Sequence, residues 1–158
     1  MAKARDIPQL SEPLSFREAA GAALEVRSAE VWEHEQRALD TADIEGVHDM
    51  RVATRRLRAV MEIFEPCFPE KRHRRALKEV KALADVLGER RDPDVMIDRL
   101  REVGSELTQE DAPGLESLIE ALRENQLEAN ERLERKLVEV RDEHVRERLE
   151  LLAAEVRP

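Results

Sequence analysis

The chain has 158 residues and a formal net charge of −9, enough length for one domain with a real core and, taken whole, a balance that argues against an anionic partner. Charged residues make up 40% and aromatics 3%, with five Gly and no Tyr, which favours long helices and argues against a sheet. The single cysteine, Cys67, excludes an internal disulfide, no apolar run approaches the ~18 residues of a membrane span, and the N-terminus lacks a signal-peptide apolar segment, so a cytoplasmic protein with no membrane partner is expected.

Residues 1–14 read as a flexible N-terminal tail, with Pro8 and Pro13 and no apolar period. Ser15 and Glu18 stand at the spacing of a capping box, with Leu14 and Ala19 placed as its hydrophobic staple. They predict a first helix that runs to about Leu39 through Ala20, Ala23, Leu24, Val31 and Ala38, with Trp32 at its edge. His34 lies among charged residues and reads as a surface histidine.

Asp43 is placed to cap a second helix, which the Glu65-Pro66 step ends, because proline disfavours a helical residue before it. Met50, Ala53, Leu57, Val60, Met61 and Phe64 share one face of that helix. His48, Arg51, Arg55 and Arg58 recur at i, i+3, i+7, i+10 on a stripe roughly opposite, a row about 15 Å long. Arg56 points about 100° away from it. Like charges one turn apart destabilise a helix by a few tenths of a kcal/mol per pair. Acidic side chains or an anionic ligand would compensate, and a solvated charged face is the plain alternative.

Pro69 opens a third helix at its first turn, and Gly88 sits where that helix would end. Ala76, Leu77, Val80, Leu83, Ala84 and Leu87 form its apolar face, and His73 falls on the same side, placed for packing. Lys71, Arg74, Lys78 and Lys81 repeat the i, i+3, i+7, i+10 spacing on the other side, with Arg75 close by. Helices joined by a short turn are usually antiparallel neighbours, so the two stripes would form one strip; two independent solvated faces is the alternative.

Asp92-Pro93-Asp94 reads as N-cap, first-turn proline and first-turn carboxylate of a fourth helix, which runs to about Leu107 through Val95, Ile97, Leu100 and Val103. Residues 108–114 read as a loop. A last helix is predicted as one unbroken rod from about Pro113 to Val156, some 40 residues and about 60 Å. That is longer than the other helices can cover, so its end needs a second copy, a partner or solvent. Asn125, Gln126 and Asn130 interrupt its apolar seam and mark a kink or a polar register point, and His144 reads as solvated.

Charge is unevenly spread. Residues 48–91 carry 12 basic and 7 acidic side chains, whereas residues 1–47 carry 5 and 10, and residues 92–158 carry 10 and 19. A basic island lies between acidic flanks, and the local field rather than the total decides where an anion docks. There is no glycine-rich phosphate loop after a strand, no Cys/His cluster at zinc spacing and no paired set of helical Glu-x-x-His motifs. No catalytic residue, metal ligand or cofactor is therefore assigned. The fold class expected is all-α, an antiparallel bundle of about five helices with a long C-terminal helix.

The run His48-Asp-Met-Arg51-Val-Ala-Thr-Arg55-Arg56-Leu-Arg58 resembles the signature helix of the CHAD family, the "conserved histidine α-helical domain". Leu87-Gly88-Glu89-Arg90-Arg91-Asp92-Pro93-Asp94-Val95 is similar to that family's Leu-Gly-x-x-Arg-Asp-x-Asp-Val turn, in the expected order and separation. The resemblance covers roughly residues 15–107 well, and residues 15–158 are read as a single CHAD-like domain. It implies an all-helical module that binds inorganic polyphosphate on a basic surface. Family members typically carry two related halves, each with its own basic helix, and this chain has one, so the likeness is to half of that arrangement. A homodimer that restores the missing half is the expected working unit. In some relatives a triphosphatase domain accompanies the module, which makes a triphosphatase-type partner a further expectation, as is association with polyphosphate granules.

The leading reading is non-catalytic binding of polyphosphate by Arg51, Arg55, Arg58, Lys71, Arg74, Lys78 and Lys81, with His48 and Arg91 at the margins and Arg56 in the motif but off the stripe. The alternative is a helical scaffold or interaction module whose basic stripes pair with acidic helices. Nucleic acid offers a similar backbone charge, but the acidic remainder and the scarcity of exposed aromatics for base stacking make it the weaker partner.

Overall fold

The computed structural model describes residues 3–7, 10 and 13–156; Pro8 lies outside them. Six α-helices follow in order among the described residues: α1 (Phe16–Trp32), α2 (Glu35–Ala38), α3 (Ile44–Ile63), α4 (Glu70–Gly104), α5 (Ala112–Asp142) and α6 (Val145–Ala154), with a 3-10 turn at Glu65–Cys67 between α3 and α4. No strand occurs among the described residues. The fold is an all-α bundle in which α3 packs against both α1 and α4, and α5 packs against α4.

Local signals set most helix starts. The Ser15 hydroxyl accepts the Glu18 amide at 3.2 Å while the Glu18 carboxylate accepts the Ser15 amide at 2.8 Å, closing the capping box. The Asp43 side chain accepts the Gly46 amide at 3.1 Å and caps α3. Arg5, within the segment read as a tail, is held on α1: its amide donates to Glu30, its guanidinium pairs with Glu33, and its carbonyl accepts Arg27 Nη1 at 3.0 Å.

Three boundaries differ from the sequence reading. The first helix does not reach Leu39. It ends at Trp32, and the short α2 then runs against the start of α3. The approach is so close that a Cβ at Gly46 would stand 2.2 Å from the Arg37 carbonyl oxygen, so glycine is required there.

The third and fourth helices are a single one. α4 passes through both Gly88 and Pro93, and neither the Asp92 cap nor a loop before it forms. Proline inside a helix removes one backbone hydrogen bond and crowds the preceding turn. A buried layer offsets this. Arg90 Nη1 donates to Asp94 Oδ1 across the proline at 2.7 Å, Gln126 of α5 donates to the same oxygen at 2.5 Å, and Arg90 Nε donates to Asn130 Oδ1 at 2.9 Å. Asn130 in turn donates to the Leu39 carbonyl at 3.1 Å. Gln126 and Asn130 thus set the register of α5 on α4, and Asn125 is exposed.

The last helix is also not one rod. It breaks at His144, which adopts a left-handed conformation (φ 50°, ψ 42°). α6 then folds back onto α1 and closes the core with Val145, Leu149, Leu152 and Ala153. The core runs through Leu24 and Val31 of α1, Met50, Leu57 and Met61 of α3, Val80, Leu83 and Leu87 of α4, and Leu133 and Leu137 of α5. Beyond Ile97, the α4–α5 hairpin carries no buried residue from 98 to 125, and its Val103 and Leu118 are half exposed. It projects as a two-helix arm.

Candidate anion-binding strip

The strip is built on α3 and α4, and two contacts fix these helices as an antiparallel pair. Near the connecting turn, His73 Nε2 lies 2.8 Å from the Met61 carbonyl, where the ring nitrogen must donate. The His73 ring stacks on Phe68 at 5.7 Å between centroids. At the other end, Arg91 Nη1 donates to the Ile44 carbonyl at 3.0 Å.

The apolar faces turn inward, with Met50, Ala53, Leu57 and Met61 on α3 and Ala76, Val80, Leu83 and Leu87 on α4 all buried. Both basic stripes are thereby directed outward. Arg55, Lys71, Arg74 and Lys78 are exposed, while His48, Arg51, Arg58 and Lys81 are half-buried at the stripe edges. A shallow depression follows α4, lined by Lys71, Arg74, Lys78 and Lys81 together with Arg75, Leu77, Ala82 and Asp85.

One carboxylate joins the two stripes. Glu62 Oε1 accepts from Arg58 Nε at 2.9 Å and lies 3.3 Å from Lys81 Nζ. The Arg58 guanidinium holds the Glu62 carboxyl below its ordinary value, against the opposing effect of desolvation and with Lys81 assisting. Glu70 pairs with Arg74 along α4. Among the described residues the side chains of Arg51, Arg55, Lys71 and Lys78 make no hydrogen bond or ion pair, and neither does that of His48. The Arg58–Glu62 spacing is legible as an i, i+4 pair; nothing in the sequence reports the reach of Lys81 across the helix gap.

Two residues of the candidate set stand apart. Arg56 faces the side of α3 that meets α1, where it lines a small cleft with Arg5, Glu30, Glu33 and His34. Arg91 is only 15% exposed, and its guanidinium serves the Ile44 carbonyl and lies 3.8 Å from Asp94 Oδ2. It ties the pair of helices together.

Ion pairs join α4 to α5 and to the turn after it. Glu79 pairs with Lys136 at 3.2 Å, Glu89 with Arg132 at 3.2 Å, and Glu143 with Arg75 at 3.0 Å, all along the α4–α5 seam. Among the described residues no group of three or more His, Cys, Asp or Glu is arranged for a metal ion, and no helix is long and apolar enough to cross a membrane.

A family model described as "CHAD domain" matches residues 22–158. No curated protein and no solved structure matches the chain.

Proposed function

The chain belongs to the CHAD domain family, and from that premise we propose that it binds inorganic polyphosphate, without transforming it, along the α3–α4 strip. The observation that carries this reading is the merging of the stripes through Glu62, beside four cations that have no counter-ion among the described residues. Arginine offers planar, permanently charged donor pairs that match phosphate oxygens, and lysine offers a mobile point charge. Set on two rigid helices, they hold a polyanion across several turns without rearranging the core. Pairing of the strip with acidic helices of the same chain is not favoured, because Arg51, Arg55, Lys71 and Lys78 meet no carboxylate of another helix among the described residues.

The test is titration with polyphosphate of defined length, with DNA and a divalent cation as controls. Affinity should rise with length until the strip is spanned. It should also fall with salt, at a log–log slope near −0.7 for each phosphate neutralised in a single-stranded polyanion. Binding insensitive to salt, or orthophosphate bound as tightly as the polymer, excludes the strip.

A homodimer belongs to the same proposal. The overhanging last helix no longer supports it, since α6 folds back. The α4–α5 arm does. Two helices that bury nothing between 98 and 125 complete a core most simply by pairing with the same arm of a second copy into four helices. Sedimentation across micromolar concentrations, with and without the polymer, checks it; a strict monomer in both conditions removes it.

A further inference from the structure

We infer that Glu62 is an internal counter-anion, a carboxylate that occupies the junction of the two basic stripes in the empty protein and that a bound polyanion must displace. This rests on the polyphosphate reading and adds to it a residue that sets which anions are excluded.

The geometry is that of a ligand already in place. One oxygen, Oε1, takes both Arg58 Nε of its own helix at 2.9 Å and Lys81 Nζ of the neighbouring helix at 3.3 Å. Glu70, the other carboxylate paired within the strip, meets only Arg74 one turn away on the same helix, with both side chains about three-quarters exposed. Glu62 alone spans the two stripes among the described ion pairs. Its side chain is 42% exposed, so it can swing into water without disturbing the core.

A tethered carboxylate competes at a high effective concentration. A small free anion must displace it with the contacts of the junction alone. A long polyphosphate is already held by Arg51, Arg55, Lys71 and Lys78, so its capture of Arg58 and Lys81 is itself intramolecular. The cost of displacing Glu62 is the same for every anion. It therefore leaves the ratio of affinities unchanged but raises the threshold for all of them, so that a weakly held short anion falls below appreciable occupancy at concentrations where a long chain still binds.

The experiment compares wild type, Glu62→Gln and Glu70→Gln by titration with tripolyphosphate and with a long polyphosphate. The measurements are repeated over a salt series, and circular dichroism confirms unchanged helicity. Glu62→Gln should bind both ligands about five-fold more tightly, the range of an exposed ion pair. Its salt slope with the long polymer should steepen by about 0.7, because the junction now carries one more net positive charge whose counter-ion the polymer releases. Glu70→Gln should gain less than about two-fold, as one exposed i, i+4 pair is worth only a few tenths of a kcal/mol. Wild-type binding with no gain in Glu62→Gln, or with equal gains in both variants, overturns this inference and leaves the polyphosphate reading standing. If neither wild type nor Glu62→Gln binds the long polymer, that reading falls and this inference with it.

Discussion

Arg90 and Asp94 meet at 2.7 Å one helical turn apart, on either side of Pro93, with neither side chain exposed to solvent. Both belong to the second sequence motif, so that motif acts here as a structural joint between α4 and α5. Asp94 Oδ1 also accepts from Gln126, while Asp94 Oδ2 and Arg90 Nη2 find no hydrogen-bond partner. Removing one member of a buried pair strands the other charge, which costs about 3–5 kcal/mol. Asp94→Ala should lose stability of that order in urea denaturation. The double change Arg90→Met, Asp94→Leu should recover much of it, since hydrophobic replacement of a whole buried pair is often neutral or stabilising. A single variant as stable as wild type would show that the layer does not hold the joint.

The break at His144 should be improvable. A non-glycine residue in the left-handed region costs about 1–2 kcal/mol relative to glycine, part of which glycine gives back through the freer unfolded chain. His144→Gly should raise stability by about 0.5–1 kcal/mol, read as a higher thermal midpoint. A lower midpoint would mean that the exposed imidazole, 3.8 Å from Glu147, contributes more than the backbone strain removes.

These two sites show where the sequence was legible and where it was not. The Ser15–Glu18 capping box, the Asp43 cap and the inward faces of α3 and α4 are local, written within one or two turns, and they form as the spacing predicts. So was the outward placement of both basic stripes, because a face opposite a buried stripe has nowhere else to go. The turn at His144 carries none of the usual glycine or asparagine signal, since the folding back of α6 onto α1 imposes it from outside. Gly88 and Pro93 gave the opposite error. Their local punctuation is overridden by a layer whose other members, Gln126 and Asn130, lie more than thirty residues away. In the strip, the Arg58–Glu62 pair was readable and the Lys81 contact was not, because it depends on the register of two helices.

Acid should loosen the start of α3 through Asp43. The Arg37 guanidinium, bonded to the Asp43 carboxylate at 2.8 Å, holds its carboxyl below the ordinary value of 3.8, with the Gly46 amide assisting. A carboxyl depressed in the folded state binds its proton more readily in the unfolded chain. Its contribution is therefore full above the unfolded value and is lost as pH falls through the lower, folded one. Glu18, depressed from 4.5 by the Ser15 contacts, acts in the same sense. Stability should decline as pH drops below about 4.5, and Asp43→Asn should show a shallower decline from a lower starting point. An identical acid limb in that variant would assign the loss to other carboxylates.

The strip itself is tested most directly by Arg51→Ala with Arg55→Ala. Neither guanidinium makes a hydrogen bond or ion pair among the described residues, so their removal leaves no carboxylate stranded, and alanine is the best helix former. Circular dichroism and urea midpoints should stay close to wild type. Charge-assisted hydrogen bonds contribute about 1.5–3 kcal/mol each, so the double variant should lose several kcal/mol of polyphosphate affinity. The log–log salt slope should flatten by about 1.4, two phosphates' worth of released counter-ions. Loss of affinity without a change in slope would point to an indirect effect on the strip's shape. A variant that unfolds would mean that both arginines serve the fold, which would favour a scaffold role for α3. Retained affinity at an unchanged slope would place the polymer somewhere other than along α3.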